Sequence, residues 1–214
     1  MIAIIDYDAG NLSSVENALR RMNEPCIATR DKAEILAADK LILPGGGAFG
    51  EAAEKLLAYG LIPVIKEAVA EGKPFLGICL GMQLMFDRSE ESPGVPGLGL
   101  LQGEIVRFKP SDGWTEFGST FKIPHVGWNS LNIRAGSRLF KGLPDETYVY
   151  FVHSYYLKAE HESDVAASAR YGVDIHAAVE HKNLFGCQFH PEKSGETGLR
   201  ILRNFAGLLR EGNR

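Results

Sequence analysis

The sequence predicts an α/β protein: a mostly parallel sheet with helices on both faces, and extra antiparallel strands in the second half. Three observations predict this. Short apolar runs alternate with amphipathic helical stretches through the first half of the chain. One of those runs turns abruptly into a helix at a cysteine flanked by glycines. After Gly103 helical periodicity gives way to a succession of strand patterns, which should extend the same sheet or pack on its edge. A chain of 214 residues suits one domain over 1–214 with a core large enough to stand without staples.

Taken in order, Ile2–Ile5 reads as a buried strand, and Asp6–Asn11 as a turn-rich loop. A helix capped by Ser13 or Ser14 should run to about Met22, with Val15, Ala18, Leu19 and Met22 on one face. A strand over Pro25–Thr29, a helix over Lys32–Ala38 and a strand over Lys40–Leu43 follow, the last entering Pro44-Gly45-Gly46-Gly47. Glu51–Glu71 has helical periodicity, broken around Gly60 and Pro63. The apolar run Pro74–Ile78 is a buried strand, and Leu80–Phe86 a helix. Asp87–Gly99, acidic and then rich in Pro and Gly, reads as a mobile loop. Strands are expected at Glu104–Phe108, Lys122–Pro124, Ser130–Ile133, Thr147–Val152, Val165–Ala169, Ile175–Val179 and Leu184–Phe189. A last helix over about Glu196–Arg210 should bury Leu199, Leu202, Phe205, Ala206 and Leu209. The polar, Gly-containing stretch Lys109–Phe121 carries no functional signal.

Composition narrows the function classes. A net charge of −4 points to neither nucleic acid nor an anionic membrane surface. Three scattered cysteines, with no zinc spacing, suit a reducing cytosol and imply no metal. Met1–Asp6 enters a strand directly, so no signal peptide is expected, and no apolar run approaches a membrane span.

The chemistry centres on Gly77-Ile-Cys79-Leu-Gly81. A strand that turns sharply into a helix forces strained geometry on its apical residue, and only small neighbours fit around it. That is the logic of the nucleophile elbow, with sulfur in place of oxygen. Backbone N–H groups at the helix start favour the thiolate. A nucleophile needs a base, and the strand Leu184–Phe189 ends in His190-Pro191-Glu192. His190 stands where α/β folds place catalytic groups, and Glu192 is near enough to turn back onto the imidazole and fix its tautomer. Cys79, His190 and Glu192 thus make a plausible acyl-transfer triad. Donors for the oxyanion should be the backbone N–H of Leu80 and one from the Gly45-Gly46-Gly47 run. A phosphate loop is the other reading of that run, but no Lys-Ser/Thr follows it. Gln83, one helical turn after Cys79, can share its face and hold a polar substrate.

Together, Gly77-Ile-Cys79-Leu-Gly-Met-Gln83, the Pro44–Gly47 loop and His190-Pro-Glu192 resemble the triad-type (class I) glutamine amidotransferases, whose fold is flavodoxin-like. Asp6–Asn11, His125–Asn129, Tyr150–Tyr155 and Phe185–Ser194 extend the resemblance, over nearly the whole chain, to the glutaminase subunits of histidine biosynthesis. The resemblance implies that Cys79 attacks the side-chain amide of L-glutamine, that His190 shuttles protons and that Glu192 orients it. It implies glutamine-holding roles for Gly45, Gln83, Glu91, Ser154 and Tyr155, and no cofactor. It also implies a heterodimer partner, a cyclase subunit with a (β/α)8 barrel. That partner takes the ammonia to make imidazole glycerol phosphate and aminoimidazole carboxamide ribotide. Asn11, Trp128, Tyr150 and Lys193 match positions at the interface, and the setting is cytoplasmic. Trp and Tyr suit interface anchors and Lys an intersubunit ion pair.

One residue departs from the family pattern: Gly46 stands where valine is common. In resting members the peptide there is thought to aim its carbonyl at the oxyanion site. A glycine lowers the cost of turning it, which implies a higher unstimulated rate. The competing readings are an amidotransferase feeding an anthranilate, GMP or pyridoxal phosphate synthase, a flavodoxin-like cysteine hydrolase, and an inactive binding module.

Overall fold

The computed structural model describes residues 1–8, 10–109, 115–116 and 119–209. In its first half, strands β1 (Ile2–Ile5), β2 (Cys26–Thr29), β3 (Lys40–Leu43) and β4 (Phe75–Ile78) alternate with helices α1 (Leu12–Arg21), α2 (Lys32–Ala37), α3 (Phe49–Ala58), α4 (Leu61–Ala70) and α5 (Leu80–Leu84). There follow β5 (Arg88–Ser89), β6 (Gly103–Arg107), β7 (Thr115–Glu116), β8 (Ser119–Thr120), β9 (His125–Ile133), β10 (Thr147–His153), β11 (Tyr155–Ala159), β12 (Val165–Tyr171), β13 (Val173–His181) and β14 (Leu184–Cys187). Helix α6 (Gly195–Ala206) comes last.

The main sheet has nine strands in the order β10-β9-β12-β13-β14-β4-β3-β1-β2. From β14 to β2 every pairing is parallel, and from β14 to β10 every pairing is antiparallel. β4 therefore lies inside the parallel half, buried on both faces, which is why its residues are uniformly apolar. One core lies under α1 and α6, where Val15, Leu19, Leu199, Leu202 and Phe205 meet Ile4, Leu76 and Phe185. The other lies under α2, α3 and α4, where Ile35, Leu56 and Ile65 meet Ile5, Leu41 and Phe75. A separate three-stranded sheet, β11-β6-β5, covers the second face.

The structure corrects several sequence expectations. α1 starts at Leu12, with Asn11 in the left-handed region as its N-cap, so neither serine caps it. Tyr59 and Gly60, the latter at φ 63°, separate α3 from α4. Pro63 lies in the first turn of α4, where a missing N–H costs nothing. α5 ends at Leu84. The stretch 87–99 is no free loop. β5 pairs with β6, Gly97 and Leu98 donate to the carbonyls of Asp87 and Leu84, and Leu98 is buried. Ile123 and Pro124 join through a cis peptide bond outside any strand, while β9 begins at His125 and β11 was not foreseen. α6 ends at Ala206 and Leu209 is exposed. Arg210 and much of Lys109–Phe121 lie outside the described residues.

Candidate active site

β4 delivers Cys79 to the C-terminal edge of the parallel half, as the residue just before α5. Its backbone sits at φ 53°, ψ −110°, outside the ordinary regions for a residue with a side chain. Such strain costs about 1–3 kcal/mol and persists only where neighbours over-determine it. Here they do. A Cβ on Gly81 would lie 1.9 Å from the Leu43 carbonyl oxygen, and one on Gly77 would lie 2.7 Å from the Gly81 backbone. The turn therefore closes only with glycine at both flanks. The Cys79 N–H donates to the Cys187 carbonyl (2.8 Å), which ties the elbow to β14.

β14 delivers the second group. Just past its end the chain reaches His190 and a single 3-10 turn over Pro191–Lys193. That turn folds Glu192 back so that its Oε1 meets His190 Nδ1 at 2.7 Å. Both side chains are shut from solvent, at 2% and 0% exposure. Glu192 Oε2 is buried and meets no donor among the described residues. A buried carboxylate with one hydrogen bond is costly unless its partner is charged. Burial by itself would push the His190 imidazole down. The hydrogen bonds to Cys79 and Glu192 outweigh it and raise the imidazole to about 9. The arrangement thus favours an imidazolium between a sulfur and a carboxylate. The His190 backbone is fixed as well: its N–H donates to the Tyr150 carbonyl (2.9 Å), and Ser194 Oγ–H donates to its carbonyl (2.7 Å).

A cavity of about 380 Å³ opens over the sulfur. Gly45, Gly46 and Gly47 form one wall, Cys79, Leu80 and Gln83 the floor, and Ser154, Tyr155 and Glu91 the far side. Gly45 is pressed against the elbow, since a Cβ there would lie 2.4 Å from the Gly81 nitrogen. The Gly46 position has room, its nearest neighbour being Asn11 Nδ2 at 3.7 Å from a Cβ. Leu80 opens α5, so its N–H has no intrahelical acceptor and is available to an oxyanion. Glu91 also supports the fold. Its Oε2 accepts from the Phe49 N–H (2.8 Å) and caps α3, as Ser92 Oγ does for Gly50 (2.9 Å). Asn11 lines the cavity as well. Trp128 and Tyr150 do not. They lie on the outer face of β9–β10, ring centroids 6.0 Å apart, with Lys193 exposed on the turn that carries His190. Gln188, buried beneath the sulfur, carries no signal in the sequence beyond its place two residues before His190.

This cysteine elbow, with its histidine and carboxylate at neighbouring strand ends, defines a class of enzyme. The chain belongs to the class I glutamine amidotransferase family, whose model matches residues 3–208. It is 49% identical over 209 residues to imidazole glycerol phosphate synthase subunit HisH of Geobacillus thermodenitrificans, covering 98% of this chain and 96% of that protein. It is 51% identical to HisH of Bacillus cereus, covering 98% of this chain and 95% of that protein. Within the class it belongs with these HisH subunits. A solved structure titled "Crystal structure of glutamine amidotransferase" superposes with a TM-score of 0.73 at 22% identity, covering 97% of this chain and 100% of the other, and shares the fold.

Proposed function

We propose that this chain is the glutaminase subunit of an imidazole glycerol phosphate synthase, acting in histidine biosynthesis as one amidotransferase domain over 1–214. The observation that carries the reading is His190, held by Glu192 at 2.7 Å and lining with Cys79 the same open cavity. L-glutamine enters the cavity, held by Gly45, Gln83, Glu91, Ser154 and Tyr155. The Cys79 thiolate attacks the side-chain carbonyl carbon, and the oxygen's charge is taken up by backbone N–H groups of Leu80 and the Gly46 peptide. The tetrahedral intermediate collapses, His190 gives its proton to the departing nitrogen, and ammonia leaves a glutamyl thioester. Neutral His190 then takes a proton from water, which attacks the thioester. Glutamate and the thiolate are released and the imidazolium is restored. Glu192 holds the ring and stabilises its charge throughout.

Ammonia has to reach a second active site before water takes it. Val152 lines the cavity and is also exposed on the outer face of β10, beside Val126, Trp128 and Tyr148. In register, Trp128 faces Tyr150 and Val126 faces Val152. Apolar and aromatic residues contiguous with a cavity mouth are what a protein partner covers. The partner we propose is a cyclase subunit with a (β/α)8 barrel, forming a heterodimer with Asn11, Trp128, Tyr150 and Lys193 in the interface. It uses the ammonia to make imidazole glycerol phosphate and aminoimidazole carboxamide ribotide. The setting is the cytoplasm, where the free thiols Cys26, Cys79 and Cys187 stay reduced.

The test is glutamate release from glutamine by the protein alone, and with such a cyclase carrying its ligand. A low rate that rises with the liganded cyclase supports the reading. No rise there, with a Cys79-dependent rise beside another synthase, would keep the chemistry and remove the pathway.

A further inference from the structure

Beneath the cavity floor the side chains form a hydrogen-bonded chain whose polarity is fixed from one end. The Tyr155 carbonyl can only accept, so the end of the Gln83 amide that faces it at 3.3 Å is the nitrogen. The same nitrogen donates to Gln188 Oε1 at 2.9 Å. The oxygen of Gln188 is thereby committed, and its Nε2 is turned toward Cys79 Sγ at 3.6 Å. The far end is pinned too. His153 Nδ1 meets the same Tyr155 carbonyl at 2.8 Å, and His125 Nδ1 meets His153 Nε2 at 3.0 Å. Gln188 has no freedom to turn: it is 0% exposed, and its own N–H donates to the Ala177 carbonyl (2.8 Å).

We infer that Gln188 is a catalytic residue of the glutaminase reaction, whose side-chain N–H hydrogen-bonds the Cys79 sulfur and favours its thiolate. The inference rests on the reading of Cys79 as the nucleophile. A neutral amide suits this role. It stabilises sulfur charge without competing for the proton that His190 carries. The bond matters twice in each turnover. It holds the thiolate before attack, when the electron pair is about to form the C–S bond. It strengthens again when water has attacked the thioester, the C–S bond breaks and the pair returns to sulfur. Gln188 does not line the cavity, so it acts on the sulfur and not on glutamine.

The titratable groups around the sulfur are few. His190 lines the same cavity beside it, with Glu192 behind; the Tyr7 hydroxyl is held up by burial and then by the Cys79 charge, and the Cys187 thiol by burial, then Glu192, then Cys79. Tyr7 spends its proton on the Pro44 carbonyl (2.7 Å), and His153 and His125 are driven down by burial to about 3 and about 4. Gln188 itself carries no titratable proton, so it remains a donor to the sulfur at any working pH.

The test is Gln188→Met in the full chain. Alkylation of Cys79 by iodoacetamide is followed against pH on the Cys79 peptide, and glutamate release is measured with the partner present. The midpoint of alkylation should move up by about one pH unit, and kcat should fall about tenfold with KM changed less than about twofold. An unmoved midpoint with kcat within about twofold of the parent overturns the inference. Gln188→Asn, which withdraws the donor by one methylene, gives the same readout should the methionine variant not fold. Cys79→Ala in the same glutamate-release assay separates the two claims. If it still releases glutamate the nucleophile reading has failed, whereas an unmoved alkylation profile of Gln188→Met beside a dead Cys79→Ala variant removes Gln188 alone.

Discussion

Replacing Glu192 by Gln tests the charge arrangement most sharply. The change keeps the shape of the side chain and removes its charge from a site where both it and His190 are shut from solvent. Raising the imidazole from 6.5 to about 9 corresponds to about 3 kcal/mol in favour of the charged ring. Burial works against that, and only Cys79 and Glu192 work for it. At pH 7.5 an imidazole with a value of about 9 is about 97% protonated, whereas one at 6.5 is about 9% protonated. Without the carboxylate only Cys79 opposes the burial cost, so the imidazole falls below about 9 and less of the resting imidazolium remains. Glutamate release should fall about 10- to 100-fold at pH 7.5, less than the about 10²- to 10⁴-fold of a whole general acid–base contribution, because His190 itself stays in place. The alkaline limb of the pH–rate profile, expected near 9 in the parent, should move to lower pH. Stability follows the same group. Its folded value lies above the unfolded one, so its contribution is complete below about 6.5 and is lost as the pH rises through about 9. The parent should therefore melt lower at pH 10 than at pH 6.5, and Glu192→Gln should narrow that difference. An alkaline limb still near 9, with a rate within about twofold of the parent, would refute the reasoning.

Three further substitutions probe separate parts of the site and its surroundings. Gly81→Ala would place a Cβ 1.9 Å from the Leu43 carbonyl oxygen, so it should destabilise by about 3 kcal/mol or more, read as a fall in denaturant midpoint. Gly46→Val has room, with nothing nearer than 3.7 Å to the new Cβ. It should leave the melting temperature within a few degrees and lower the glutaminase rate of the protein alone; an unchanged unstimulated rate would end the idea that glycine eases the peptide turn. Trp128 is 55% exposed, so Trp128→Ala should cost little stability but, if the proposed cyclase partner docks on this face, weaken its binding by about 2 kcal/mol, or about 30-fold in Kd by calorimetry.

The parts of the fold that could be read from sequence are those governed by local physics. β1, β3 and β4 are short apolar runs because both faces of a parallel strand are buried, and the elbow announces itself through the glycines its close approach requires. The parts that could not be read depend on distant partners. β11 exists through its pairing with β6, far earlier in the chain, and its own sequence has no clean alternation. The start of β9 is hidden because Val126 and Trp128 point outward where a solvated strand would carry polar residues. That same irregularity belongs to the face proposed for the partner. Asp87–Gly99 has the composition of a loop, yet Glu91 and Ser92 are tied to the start of α3, contacts visible only once the fold is known. For the site, Cys79, His190 and Glu192 were legible as an elbow and a strand-end motif. Gln188 was not, because a lone amide in an apolar strand carries no pattern of its own.

The most direct test of Cys79 as the nucleophile is to quench the enzyme in acid during turnover of labelled glutamine and to map the label by mass spectrometry. A glutamyl thioester is expected on Cys79 alone, absent from Cys79→Ala, and longer-lived in Glu192→Gln as the base that activates water weakens. A labelled Cys26 or Cys187, or glutamate release that persists without Cys79, would contradict it.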